Sequence, residues 1–407
     1  MEHTFFQHLR IPVYFENHIN QPPYINGFSS EALATHMSPD PNWTNNTKVF
    51  YGHCTFDTLF ITIDQIPEST KFYYPMVAVF GTILNIIDTV NISDQVIDTI
   101  KSGQCRILCF GPYEGWDYNW FWKKYINAIQ RKYNLNDSHF ILVDGGYLDN
   151  NPVTRIPYNV WEETFHADFY RRGIERICDI RPNKFICLNR RPSSHRFAMV
   201  TGLFPYKDMG ILTMAKNAGY NDDFRNSSED TFFREFPTLK DYYLDNVKSN
   251  IPLIYKHDII DPEIDNPNFD DQVDKFHQSY LQIITETHYR NNTLFLSEKI
   301  FKPICHCQPF VVFGNPKTLE LLRSLGYATF SNWIDESYDE ELDPEKKYYK
   351  IMSSITEFIN RSPDELTSMI VQMKHIFDHN YENLVRRQKS DIMLTLLSRL
   401  RNELYKK

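Results

Sequence analysis

SYLQIITETH at residues 279–288, FLSEKIFKPI at 295–304 and QPFVVFG at 308–314 decide how this chain folds. The first is an apolar segment ending in Glu286, the second opens a helix at Ser297, and the third is a short buried strand, Phe310–Phe313. Ser297 is expected to cap a helix whose first turn carries Glu298 and Lys299. A helix start offers unpaired N–H groups and the positive end of a dipole, so an ammonium at Lys299 makes the place suited to phosphate oxygens. Glu298 can accept from two neighbouring hydroxyls, Lys302 adds charge one turn later, and Pro303 is expected to kink the helix. Taken alone, one Glu-Lys pair reads more simply as solvated charge on an amphipathic helix.

Working outward, Lys184–Leu188 reads as a strand that leads into Asn189-Arg190-Arg191-Pro192 and a helix near Ser194–Leu203. That turn lies at the carboxyl edge of the strand, where open α/β sheets bind ligands. Arg190 and Arg191 there can grip phosphate with planar charged forks, and Arg196 follows one helical turn on. Earlier in the chain, Arg106–Phe110, a helix over Asn119–Tyr133 and Phe140–Val143 form a βαβ pattern closed by Asp144-Gly145-Gly146. Phe60–Ile66 and Met76–Phe80 are further strand candidates, and Asn91–Lys101 has helical spacing with Ser93 as cap. Residues 216–275 read as an acidic insertion with short helices. Asn315 is expected to cap and Pro316 to open a helix that Gly326 ends before Tyr327–Phe330, which repeats the alternating α/β order. Ser362–Glu365 resembles a capping box opening a helix to about His379, and Tyr381–Tyr405 is mostly helical. At 407 residues the chain exceeds the roughly 250–300 at which one core stops growing. Two α/β, Rossmann-like domains are expected, over residues 1–175 and 176–380, with a helix over 381–407.

Thr-Glu-Thr at 285–287, Ser-Glu-Lys-Ile-Phe-Lys-Pro-Ile at 297–304 and Pro-Phe-Val-Val-Phe-Gly at 309–314 resemble the donor-binding half of GT-B glycosyltransferases. The fucosyltransferase-like and exostosin-like groups, and glycosyltransferase-like proteins of large phages and giant viruses, are the nearest in pattern. The resemblance covers about residues 180–340 well and the amino-terminal half weakly. It implies two Rossmann-like domains facing a cleft, with the last helix crossing back. It also implies sugar transfer from a nucleotide-diphosphate sugar to an acceptor hydroxyl, with inversion and without a cofactor. By the same match Glu298 holds the donor ribose, Lys299 meets the diphosphate, Glu286 is the acidic residue near the donor, and Arg190 or Arg191 contacts its phosphates.

Sugar transfer needs positive groups at the departing phosphate and usually a base for the acceptor. Glu114, between Gly111 and Gly115 past a strand end, and Asp144, one strand later, are the candidate bases; an Asp beside Gly is ordinarily a turn former. Tyr113, Trp116, Trp120 and Trp122 are candidates for an aromatic acceptor platform, although helical spacing makes some of them core. The chain has no Asp-x-Asp, Gly-x-Gly-x-x-Gly or Gly-Lys-Ser/Thr phosphate loop, which counts against a metal-dependent GT-A enzyme, a dinucleotide oxidoreductase and an ATPase. Cys305-His306-Cys307 is spaced too tightly for structural zinc, and no metal is expected. Neither signal peptide nor membrane span is evident, and the seven Cys form no framework, so a cytoplasmic protein is expected, in the host cytoplasm if viral. The expected acceptors are a glycan or lipid-linked saccharide, or hydroxymethylated or hydroxylated bases of viral DNA; the net charge of −9 weighs modestly against DNA. A non-catalytic nucleotide-sugar- or glycan-binding protein on the same scaffold is the alternative of a different class.

Overall fold

The computed structural model describes residues 71–77, 92–111, 115, 118–147, 151–163, 167–217, 222–255, 273–290, 293–388 and 392–406. The strand expected at Phe60–Ile66 and the candidate base Glu114 lie outside them. The chain divides into two compact units, Met1–Thr164 with Arg386–Lys407, and Phe165–Val385.

The first unit carries β1 (Phe72–Val77), α1 (Asp94–Lys101), β2 (Cys105–Gly111), α2 (Lys123–Tyr133), β3 (Phe140–Asp144) and β4 (Thr154–Pro157). The strands form one parallel sheet in the order β1-β2-β3-β4. All five residues of β3 are buried, as a parallel sheet covered on both faces requires. Ser93 caps α1 by accepting from the Val96 N–H, and Val96, Ile97 and Ile100 turn inward at helical spacing. A π-helical turn, Tyr118–Trp122, leads into α2, whose Tyr125, Ile126 and Ile129 join Ile107, Cys109, Phe140 and Leu142 in the core. The first strand starts at Phe72 rather than Met76, because Phe72–Tyr74 pair with Cys105–Ile107.

The second unit runs through α3 (Ala167–Glu175), β5 (Asn183–Cys187), α4 (Ser194–Leu203), β6 (Ile211–Leu212), α5 (Asp222–Glu235), β7 (Ser279–Thr285), α6 (Glu298–Cys305), β8 (Phe310–Phe313), α7 (Thr318–Ser324), α8 (Pro344–Ile359), α9 (Pro363–Gln372) and α10 (Lys374–Arg386). Its parallel sheet has the order β6-β5-β7-β8, and every residue of β7 and β8 is buried. The architecture is therefore α/β, with a parallel sheet and flanking helices in each unit. The last helix, α11 (Ile392–Tyr405), belongs to the first unit: the Tyr73 hydroxyl donates to the Leu400 carbonyl at 2.7 Å and Arg106 Nη1 to the Glu403 carbonyl at 2.9 Å. No helix among the described residues is long and apolar enough to cross a membrane.

Several expected elements differ, each for a local reason. The insertion holds a full 14-residue helix, α5, followed by short turns. Lys317 takes a left-handed φ of 68°, so α7 begins at Thr318 rather than Pro316. Its cap comes from sequence-distant Asp339, whose carboxylate accepts from the Leu319 and Glu320 N–H groups at 3.0 Å. Tyr327–Phe330 forms no strand, since side chains claim its backbone: the Ala328 N–H donates to Asn380 and the Phe330 N–H to Glu336, both at 2.7 Å. The Ser362 capping box forms, but its helix ends at Gln372 and α10 continues separately to Arg386.

Candidate functional site

The second sheet brings the Asn189–Arg196 segment and the start of α6 to one edge, the carboxyl ends of β5 and β7. Three hydrogen bonds fasten them there. The Thr285 hydroxyl donates to Asn189 Oδ1 at 2.6 Å, His195 Nε2 meets the Glu286 carbonyl at 2.8 Å, and Arg196 Nη2 reaches the Thr285 carbonyl at 3.5 Å. Because a carbonyl only accepts, His195 carries its proton on Nε2, and Nδ1 is left to accept from the Ser193 hydroxyl at 3.3 Å. Burial drives the His195 pKa well below the ordinary imidazole value, with the Arg196 charge adding to the effect, so the ring is neutral. The ring also stacks on Tyr289, centroids 4.2 Å apart.

Glu286, directly after β7, is 1% exposed. Its carboxylate accepts from the Ser297 N–H at 3.2 Å, the Ser297 hydroxyl at 2.6 Å and the Thr287 N–H at 3.0 Å. Burial raises its pKa, and the Lys299 charge works against that rise. Ser297 caps α6 as expected, accepting from the Lys299 N–H at 3.3 Å. The helix runs on through Pro303 to Cys305.

The first turn of α6 nevertheless differs from a bare anion site. The Ser297 N–H goes to Glu286, the Lys299 N–H to the Ser297 hydroxyl and the Ile300 N–H to the Ser297 carbonyl. With these three backbone donors engaged, much of the anion-binding capacity resides in side chains. Lys299 Nζ contacts Glu298 at 2.7 Å, the Ser297 hydroxyl at 3.2 Å and the Thr287 hydroxyl at 3.5 Å. Lys299 and Glu298 each keep 24% of their side-chain surface exposed, so both remain reachable from solvent. Burial favours the neutral form of Glu298, but Lys299 and Lys302 outweigh it and hold the carboxyl at about 2. Burial lowers Lys302 to about 8, with Glu298 opposing and Lys299 assisting.

On the facing loop the residues divide by role. Asn189 is buried, with Nδ2 on Cys187 Sγ at 3.3 Å in addition to its Thr285 bond, and buried Arg196 also braces the Arg191 carbonyl at 2.9 Å. Arg191 is exposed. Arg190 is half-buried, and its Nε is fully covered without an acceptor among the described residues. A covered guanidinium N–H of this kind fits a site that an anionic ligand completes.

In the first unit, Asp144 is 0% exposed and both carboxylate oxygens are engaged. Oδ1 accepts from Arg155 Nε at 2.7 Å and the Gly146 N–H at 2.9 Å; Oδ2 accepts from Arg155 Nη2 at 2.5 Å and Trp122 Nε1 at 2.8 Å. Burial pushes its pKa up while Arg155 opposes. Four donors occupy this carboxylate, and the arrangement serves the fold rather than proton abstraction. Trp122 is core as well. Tyr113 and Trp116 lie outside the described residues. The Cys305-His306-Cys307 segment is buried: His306 Nδ1 faces His277 Nε2 at 3.2 Å, and burial drives both thiols upward.

Sequence patterns did not single out His195, Tyr289 or Glu235. Glu235 accepts from Ser194 at 2.6 Å and Tyr289 at 2.5 Å and pairs with Arg290, linking α4, α5 and the segment after β7. These partners are separated by 41 and 54 positions, so no local spacing could reveal them. No protein-family model matches the chain, and a search of curated proteins finds no match.

Proposed function

We propose that the chain is a GT-B-like glycosyltransferase that binds a nucleotide-diphosphate sugar at the carboxyl edge of its second sheet and transfers the sugar to an acceptor hydroxyl. The observation that carries this is the joining of the Arg190–Arg191 loop and the Glu298–Lys299 turn at adjacent strand ends, through the Thr285–Asn189 and His195–Glu286 bonds. Lys299, Lys302, Arg190 and Arg191 supply positive charge for the diphosphate, and Arg190 Nε supplies a donor in need of an acceptor. Glu298, ionised and solvent-reachable, accepts from the ribose hydroxyls. Asn189, Arg196, Glu286 and Ser297 hold these groups in place, and Asp144 is not assigned as base. Calorimetry with a panel of nucleotide-diphosphate sugars tests the proposal. Lys299→Ala and Glu298→Ala each weaken the best ligand at least tenfold, about 1.4 kcal/mol, without unfolding the protein. Unchanged affinity in both variants removes the site, and binding without transfer or donor hydrolysis makes the protein a binder only.

A further inference from the structure

The first unit holds a separate concavity of about 960 Å³ at the opposite edge of its sheet, ahead of the amino ends of β1, β2, β3 and β4. Its size falls in the range of small-ligand sites, roughly 300–1,000 Å³. Among the described residues, Lys71, Lys101, Arg106 and Lys406 line it, against Asp137 and Glu403 as the carboxylates. Glu403 is shared between Arg106 at 3.4 Å and Lys406 at 3.2 Å, and Asp137 accepts from Gln130 at 2.8 Å. Lys71 and Lys101 have no ion pair among the described residues. The lining is thus cationic on a chain whose formal net charge is −9. His139 also lines the groove, its Nδ1 lying 3.0 Å from the Asn136 backbone nitrogen and 3.1 Å from the Asn136 carbonyl oxygen. The apolar part of the wall is Ile100, Leu404 and Pro152, and among the described residues no Phe, Tyr or Trp lines it on which a base would stack.

We propose that this groove is a second ligand site, for a small polyphosphate recognised through its phosphate charge and not through an aromatic base. Several cations from separate segments around one concavity match an anion carrying more than one phosphate.

Calorimetry with inorganic tripolyphosphate, at two salt concentrations, tests it on the full chain. Wild type and Lys299→Ala are expected to retain a salt-sensitive site that Lys71→Gln/Lys101→Glu weakens at least tenfold. Lys101 is exposed and Lys71 only half-buried, so the variant should fold, which circular dichroism checks. Should it fail to fold, Lys101→Gln/Lys406→Gln, both at exposed positions, carries the same expectation. Absence of tripolyphosphate binding by wild type overturns the proposal, as does binding lost in Lys299→Ala alone. ATP binding more than tenfold tighter than tripolyphosphate at this site also overturns it, because that would require recognition of the base.

Discussion

Replacing Asp144 by alanine should damage the first unit far more than any function assigned to it. Arg155 has 1% of its side chain exposed and Asp144 none. Removing the carboxylate deprives the buried Arg155 guanidinium of its bidentate partner and takes one acceptor each from Trp122 Nε1 and the Gly146 N–H. Breaking one side of a buried ion pair costs about 3–5 kcal/mol. For a unit of under 200 residues, each kcal/mol moves the midpoint by about 2–4 °C, so the transition of this unit should fall by roughly 10 °C or more. Calorimetry can follow that shift, with hydrogen exchange in β3 and β4 localising it. Asp144→Leu/Arg155→Met should recover most of the loss, since an apolar pair replaces a buried charge pair at little cost. A loss below about 1 kcal/mol in Asp144→Ala would refute the reasoning, as would a double variant no better than the single.

Four further outcomes follow from the second unit. Glu298 lies at about 2 in the folded protein and near the ordinary glutamate value when unfolded, so its stabilising contribution is present above about pH 4.5 and is lost as pH falls toward 2; it is on the order of 3 kcal/mol, and acid titration of Glu298→Gln should lack that part. Lys302 loses its proton near pH 8, so diphosphate affinity should decline as pH rises through that value, and Lys302→Gln should flatten the profile in calorimetry. Ser297→Ala removes both the α6 cap and a hydroxyl donor to Glu286, and should lower stability in urea melts by about 1–3 kcal/mol. Lys347 is 2% exposed, has no hydrogen-bond acceptor among the described residues and is lowered to about 8 by burial, against the pull of Asp339 and Glu341; Lys347→Met should stabilise the protein by about 1 kcal/mol, and a lower melting point would contradict this.

The α/β alternation and the Ser297-capped helix were legible in the sequence because they rest on local signals: apolar runs of strand length, a Ser before a helical period and turn residues between them. Ser93 and Ser362 caps were readable for the same reason. Asp339 capping α7, and Asn380 and Glu336 occupying the Tyr327–Phe330 backbone, were not, because each depends on a side chain brought from elsewhere in the chain. The candidate site shows the same split. Glu298 and Lys299 stand out by pattern, whereas the brace through His195 exists only once β5 and β7 are neighbours. Asp144 illustrates the converse, a carboxylate at a promising strand end whose partner, Arg155, lies on the next strand.

The tail returning to the first unit has a bearing on synthesis. Residues 165–385 are an uninterrupted run, and their ends meet, with Tyr170 stacked on Tyr381 at 3.8 Å and its hydroxyl on Asp378 at 2.5 Å. That middle portion can finish folding as soon as it clears the ribosome. The flanking portion cannot, since Tyr73, Arg106 and Glu162 must wait for Leu400, Glu403 and Arg387 to be translated. A nascent chain stopped short of residue 386 should therefore yield a protease-resistant core made of the later-encoded portion, while the residues made first are digested.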